Sequence, residues 1–291
     1  MSFNDLPALP RLIHPDGNRY VERIMRLGRV AQQDTPCVLD QTYGSDYWQR
    51  LDVYLPTTPQ SSLPVFCFLP GGAWINGCKE WLAFMAPAIT RAPAVFVALS
   101  YRHAPAAKFP AQLDDTIDGL AWVHRNIVRW GGNTERVYLG GHSAGGHLAA
   151  LATLRRDALA ARDLPSDFIR ACLPISAPFD LASDDPMRRQ KVAAFLEDPE
   201  DVTAASPIAH VKGNGTPFII TYGTEDLPEV VPQATQMIAA LKSAGTSVES
   251  LVLAGRNHFD THEDCVLPES PWMRRVSTLL HKTVANDSPR H

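Results

Sequence analysis

Two short runs constrain this 291-residue chain more than any other feature: Val65-Phe66-Cys67-Phe68-Leu69 and Ala94-Val95-Phe96-Val97-Ala98-Leu99. Both are apolar at every position and rich in Val and Phe. A strand with one wet face alternates apolar with polar residues. A run that does not alternate is buried on both faces, as in a parallel sheet covered by helices. Residues 51–55 alternate and read as a further strand. After Pro110 the period changes: Leu113, Ile117, Leu120, Val123 and Ile127 recur at helical spacing, and Gly131-Gly132 stops the helix. Residues 136–140, 171–175, 217–221 and 247–253 read as strands. Residues 147–154, 231–241 and 270–283 read as helices, the second closed by Gly245. A first helix is expected over residues 18–31, with Val21, Ile24, Met25 and Val30 on one face.

Strands thus alternate with helices from about residue 48 to residue 283, the signature of an α/β domain with a mostly parallel central sheet flanked by helices. The expected organisation is an N-terminal segment (1–36), one α/β domain (37–284) and a tail (285–291). The alternation breaks at 181–215, which reads as an insertion containing a short helix at 191–196, with Asp184-Asp185 and Arg188-Arg189 before it.

Composition narrows the function classes. Hydrophobic residues make up 45% and charged residues 20% of the chain, the balance of a globular protein. Lys plus Arg number 27 against 31 Asp plus Glu, so no basic excess exists to neutralise phosphates, and no nucleic-acid partner is expected. No apolar run spans a bilayer, and residues 1–10 lack the basic and apolar regions of a signal peptide. The cysteines (37, 67, 78, 172 and 265) are odd in number and widely spaced, which suggests reduced thiols in a cytoplasmic protein rather than a disulfide framework or metal clip. No metal or organic cofactor is expected.

The strongest chemical motif is Gly141-His142-Ser143-Ala144-Gly145, between the strand at 136–140 and an alanine-rich helix. A sharp strand-to-helix turn lifts a serine clear of a sheet, and small flanking residues let backbone approach backbone. Leu69-Pro70-Gly71-Gly72-Ala73-Trp74 directly follows another strand, and its small residues leave N–H groups free to face an anionic oxygen. A serine hydroxyl needs a base. Of ten histidines, His258 is best placed, after the last strand; His142 and His147 read as structural or pocket-lining. The acid that orients the base is expected at Asp226, past the strand at 217–221, with Glu225 as its rival. Asp260, Glu263 and Asp264 follow His258 too closely to reach round it.

With these motifs, the chain resembles the α/β-hydrolases of the esterase/lipase branch, which includes hormone-sensitive-lipase-like esterases and arylformamidases (kynurenine formamidases). Ser100-Tyr101-Arg102-His103-Ala104-Pro105 and Phe109-Pro110-Ala111-Gln112-Leu113-Asp114-Asp115 are similar to the stretch that precedes the elbow in that branch. The resemblance covers about residues 45–283. It implies the α/β-hydrolase fold, Ser143 as nucleophile, Asp226 as acid, His258 as base, and the N–H groups of Gly72, Ala73 and Ala144 as the oxyanion hole. It also implies a small cap built from residues 1–36 and 181–215, where Met25, Leu27, Leu181, Met187, Phe195 and Leu196 offer apolar lining. Trp74, His142 and Phe259 are expected at the substrate pocket. One departure stands out: the branch opens its oxyanion motif with His, and here that place holds Pro70, which has no N–H. The hole uses later residues, so the change bears on how the loop is supported.

The expected function is hydrolysis of small carboxylic esters. The alternative is arylformamidase-like cleavage of N-formyl anilides, and a remote third is a non-catalytic binding protein on the same fold. The expected partner is a small-molecule ester or amide, without a membrane; homodimerisation stays open.

Overall fold

The computed structural model describes Phe3 and residues 6–12, 14–184 and 186–281. The expected tail at 285–291 lies outside the described residues, as do Asp185 and the side chains of Met187 and Arg188. Eight strands form one sheet: β1 (Cys37–Thr42), β2 (Arg50–Tyr54), β3 (Leu63–Leu69), β4 (Val95–Leu99), β5 (Gly132–His142), β6 (Ile169–Ile175), β7 (Phe218–Glu225) and β8 (Val248–Asn257). Their spatial order is β1-β2-β4-β3-β5-β6-β7-β8. The β1–β2 and β2–β4 pairings are antiparallel; every pairing from β4 to β8 is parallel. The two non-alternating runs become β3 and β4, buried at every position.

The helices are α1 (Gly17–Asp34), α2 (Ala86–Arg91), α3 (Ala111–Asn126), α4 (Ala144–Leu154), α5 (Arg156–Ala160), α6 (Pro186–Phe195), α7 (Val230–Ser243), α8 (Asp260–Glu263) and α9 (Pro271–His281). All five residues of the stripe read from Leu113 to Ile127 are buried. They pack on one face of the sheet with Val65, Val97, Leu139 and the apolar side of α4. The other face buries Phe66, Phe68 and Phe96 beneath α1 and α9, with Trp272 of α9 packed on Phe66 and Phe68. No helix among the described residues is long and apolar enough to cross a membrane. All five cysteines are free.

Two details differ from the sequence reading. β1 carried no readable strand pattern. It is an edge strand, its first five residues only half-buried, and it exists through its pairing with β2. The core face of α1 is Gly17, Tyr20, Ile24, Gly28 and Ala31, while Val30 is 55% exposed and Leu27 39%. Close packing decided the rotation: a Cβ on Gly28 would stand 3.2 Å from the carbonyl oxygen of Glu80. Only small residues let α1 lie that close to the 3-10 helix at Lys79–Met85.

Candidate active site

Four loops converge where the parallel strands end, the usual crevice of such sheets. They follow β3, β5, β7 and β8. After β5 the chain turns at Ser143 with φ 53° and ψ −120°, then enters α4. From Val137 to Leu154, Ser143 is the one residue that is not buried. The glycines around it are steric requirements. A Cβ on Gly141 would lie 2.3 Å from the carbonyl oxygen of Gly145, and one on Gly145 would lie 2.2 Å from that of Leu69.

The Ser143 hydroxyl is 3.0 Å from Nε2 of His258, and Nδ1 of His258 is 2.7 Å from Oδ1 of Asp226. An ionised carboxylate only accepts, so the proton sits on Nδ1 and Nε2 offers its lone pair to the serine hydroxyl. Asp226 also accepts from the N–H of Leu227 at 2.8 Å, the N–H of Gly223 at 3.3 Å and the hydroxyl of Ser176 at 2.5 Å. Burial alone would raise its pKa. The bonds from His258, Ser176 and Leu227 outweigh burial and hold the carboxyl below its usual range.

The register of β7 with β8 shifts between Gly223 and Glu225, where Glu225 pairs with Asn257 and stays exposed. Asp226, one residue on, has its side chain fully buried against His258. Asp264 pairs with Arg256, Glu263 with Arg23, and Asp260 accepts from the N–H of Asn257.

The segment after β3 runs through three positive φ values: Gly72 at 130°, Ala73 at 53° and Trp74 at 61°. Tyr101 supports it, donating to the carbonyl of Pro70 at 3.0 Å. So do His103, whose Nε2 donates to the Gly77 carbonyl at 2.7 Å, and the N–H of Ala104, which donates to the carbonyl of Trp74. The loop that lacks the usual histidine is thus carried by the segment from 101 to 104. Ala144 opens α4, so its N–H has no acceptor within the helix and stands beside Ser143.

The three expected pocket residues are all largely buried. Trp74 stacks on Phe195 at 4.5 Å and donates to Nδ1 of His147 at 3.1 Å. Phe259 packs against His14 and Tyr20 at 5.1 and 5.0 Å. His142 is 2% exposed, enclosed by the rings of Tyr20, His258 and His262. Burial and the neighbouring rings of His262 and His258 hold His142 neutral, well below its usual range.

Both segments expected in the cap touch these loops. Pro10 accepts from the amide of Asn76, and Phe195 of α6 lies on Trp74. Leu181 and Leu196 are buried, Met25 is half-buried and Leu27 faces outward.

Ser176 was missed in the sequence. It follows β6 with φ 50° and reaches Asp226 from 50 residues away. Its only signal is a serine at the C-terminal end of a parallel strand.

Residues 51–241 match the BD-FAE family model. Esterase LipC of Mycobacterium tuberculosis is 32% identical over 82% of this chain and 60% of its own length. The isoprenylcysteine alpha-carbonyl methylesterase of Arabidopsis thaliana is 28% identical over 75% of this chain and 55% of its own. The chain therefore spans somewhat more than half the length of these relatives. Among solved structures, the esterase of Pyrobaculum calidifontis superposes with a TM-score of 0.73 at 21% identity, over 90% of each chain. A thermostable carboxylesterase from a metagenomic library gives 0.71 at 20% identity, over 91% of this chain and 97% of its own. The chain belongs to the BD-FAE family, in the esterase branch of the α/β-hydrolases.

Proposed function

We propose that the chain is a serine carboxylesterase that cleaves small carboxylic esters through an acyl-enzyme. Ser143 Oγ attacks the acyl carbon while Nε2 of His258 takes its proton. Asp226 holds the imidazole in the Nδ1–H tautomer and stabilises the imidazolium as it forms. The oxyanion is received by the N–H groups of Gly72, Ala73 and Ala144. His258 then protonates the leaving alkoxide, and water attacking the acyl-Ser143 ester repeats the sequence. The observation that carries this reading is the unbroken hydrogen-bonded chain from Ser143 through His258 to Asp226, at the ends of three different strands. The esterase names of the relatives point the same way. Residues 1–36 and 181–215 form the cap in this reading, and the free cysteines suit a cytoplasmic location.

The test is hydrolysis of p-nitrophenyl butyrate. The wild-type chain turns it over, EDTA leaves the rate unchanged, and Ser143→Ala lowers kcat on the order of 10⁶-fold with the fold intact. A Ser143→Ala rate within tenfold of wild type overturns the assignment. A hundredfold preference for N-formylkynurenine would move the protein to the formamidases.

A further inference from the structure

His142 is a buried titratable residue that the proposed reaction leaves without a task. Its covalent neighbour is Ser143. Its Nε2 lies 2.8 Å from the backbone carbonyl of His258, to which it donates. That leaves Nδ1 unprotonated, and Nδ1 has no hydrogen-bond partner among the described residues. This edge of the ring is turned to Gly71: a Cβ there would stand 2.9 Å from Nδ1 and 3.2 Å from Cβ of Ser143. One imidazole therefore touches the histidine loop and the oxyanion loop while its own backbone leads into the serine turn. The ring is braced from behind. His262 stacks on it at 4.8 Å with an interplanar angle of 6°, and His262 accepts from the hydroxyl of Tyr20 at 2.5 Å.

A second donor reaches the carbonyl of His258: the hydroxyl of Thr261 at 2.8 Å. Thr261 has one proton and a second acceptor, the hydroxyl oxygen of Ser176 at 2.7 Å. Ser176 in turn commits its own proton to Asp226. The donor with no other acceptor is His142.

We propose that His142 is a positioning residue: its Nε2–H on the carbonyl of His258, with its other edge against Gly71, keeps the base and the oxyanion loop in register with Ser143. The proposal rests on the serine-esterase reading. Leucine fills similar space without donating. Glutamine places an amide N–H near the position of Nε2, whereas asparagine places its amide near Nδ1, on the Gly71 side.

The experiment compares His142→Leu, His142→Gln and His142→Asn with the wild-type chain on p-nitrophenyl acetate, each checked for an unchanged circular dichroism spectrum. Loss of register between reacting groups is expected to lower kcat of His142→Leu by roughly 10- to 100-fold, with KM within about twofold of wild type. His142→Gln recovers most of that loss and His142→Asn does not. If His142→Leu fails to fold, the ratio of His142→Gln to His142→Asn carries the test. Equal rates for Gln and Asn, a His142→Leu rate within twofold of wild type, or a loss confined to KM would overturn the proposal while leaving the esterase reading intact. A wild-type chain inert toward the ester would overturn both.

Discussion

The indole N–H of Trp74 donates to Nδ1 of His147 at 3.1 Å, and Nε2 of His147 donates to the carbonyl of Ala205 at 2.7 Å. One imidazole thereby ties the residue after the proposed oxyanion donors to α4 and to the insertion. Burial holds that ring neutral, its pKa pushed down to about 4, so at neutral pH it has the lone pair that the indole needs. Phe195 closes the other side of the indole. Trp74 is therefore held in place, and if it walls the acyl pocket of the proposed reaction it cannot swing to admit a long chain.

Acyl length is where this shows. We expect kcat/KM of the wild-type chain to fall as p-nitrophenyl acyl chains pass about eight carbons, because a pocket walled by a fixed aromatic discriminates by shape. Trp74→Ala should raise the octanoate-to-butyrate ratio by about tenfold or more, since each added methylene in an apolar pocket is worth on the order of 1 kcal/mol. An unchanged ratio in a folded variant would remove Trp74 from the acyl wall.

Ser176 supplies the second prediction. Its hydroxyl is one of four donors to Asp226, and its removal should let the pKa of that carboxyl drift back toward the ordinary range. The folded pKa is depressed, so the contribution to stability is present above the unfolded value of about 4 and is lost as pH falls through the folded value. Ser176→Ala should therefore cost about 1 kcal/mol at pH 7 and less at pH 3. In activity, Asp226→Asn should be far worse, roughly 10⁴-fold in kcat, because it upsets the tautomer of His258. Thermal melts at both pH values and kcat for both variants decide it. A Ser176→Ala penalty that grows toward pH 3 contradicts the account.

Lys79 tests the core beside β1 and β2. Its ammonium, 5% exposed, meets Asp40 at 3.0 Å, Asp52 at 2.9 Å and Glu80 at 2.7 Å. The Lys79 ammonium thus reaches three carboxylates, and the Asp52 carboxyl is pushed up to about 6, by burial first and with the help of Glu80. Lys79→Met would take the ammonium partner from the buried carboxylates of Asp52 and Glu80, a loss of about 3–5 kcal/mol near neutrality. A folded pKa raised above the unfolded one means stability falls as pH rises through that interval. The wild-type interval runs from the ordinary carboxylate range to about 6, and the variant's extends higher. The Tm deficit of Lys79→Met should be larger at pH 8 than at pH 5, and the reverse order would refute this description of the cluster.

What was legible in the sequence was what local chemistry dictates. The runs at 65–69 and 94–99 had to be covered strands, and the small residues around Ser143 had to be a tight turn. The meeting of His258 with Ser143 could be anticipated because both follow strands of one sheet. What escaped depends on distant partners. Ser176 matters because β6 ends beside β7. Gly28 and Ala31 face the core because Glu80 lies close by, a contact that hydrophobicity does not encode. Nothing in the sequence shows what Pro10 and His14 meet, yet Pro10 accepts from Asn76 and His14 packs on Phe259. Asp226 was the expected acid, but the one-residue register shift that buries it and leaves Glu225 exposed is something no periodicity reveals.

Gly145 sets two effects against each other. It sits in the first turn of α4, where alanine is intrinsically the better residue by about 1 kcal/mol, so helix propensity alone predicts that Gly145→Ala stabilises the fold. Sterics predict the opposite. The added carbon would lie 2.2 Å from the carbonyl oxygen of Leu69 and 2.5 Å from that of Pro70. Both obstacles are backbone, and they belong to the end of β3 that carries the oxyanion loop, so no side chain can rotate away. Relief requires α4 and β3 to separate, which opens the packed layer beneath Ala149 and costs roughly 3 kcal/mol or more, as other overpacked cores do. That exceeds the propensity gain, so Gly145→Ala should melt well below the wild-type chain. Its kcat on p-nitrophenyl butyrate should fall even where it remains folded, because Ser143 and the loop after β3 move apart. Gly215→Ala is the control: its Cβ would meet only the Arg156 guanidinium at 3.4 Å, an ordinary contact, and its Tm should stay close to wild type. A Gly145→Ala protein as stable and as active as wild type would mean that the close approach of β3 to α4 is not what shapes the turn at Ser143.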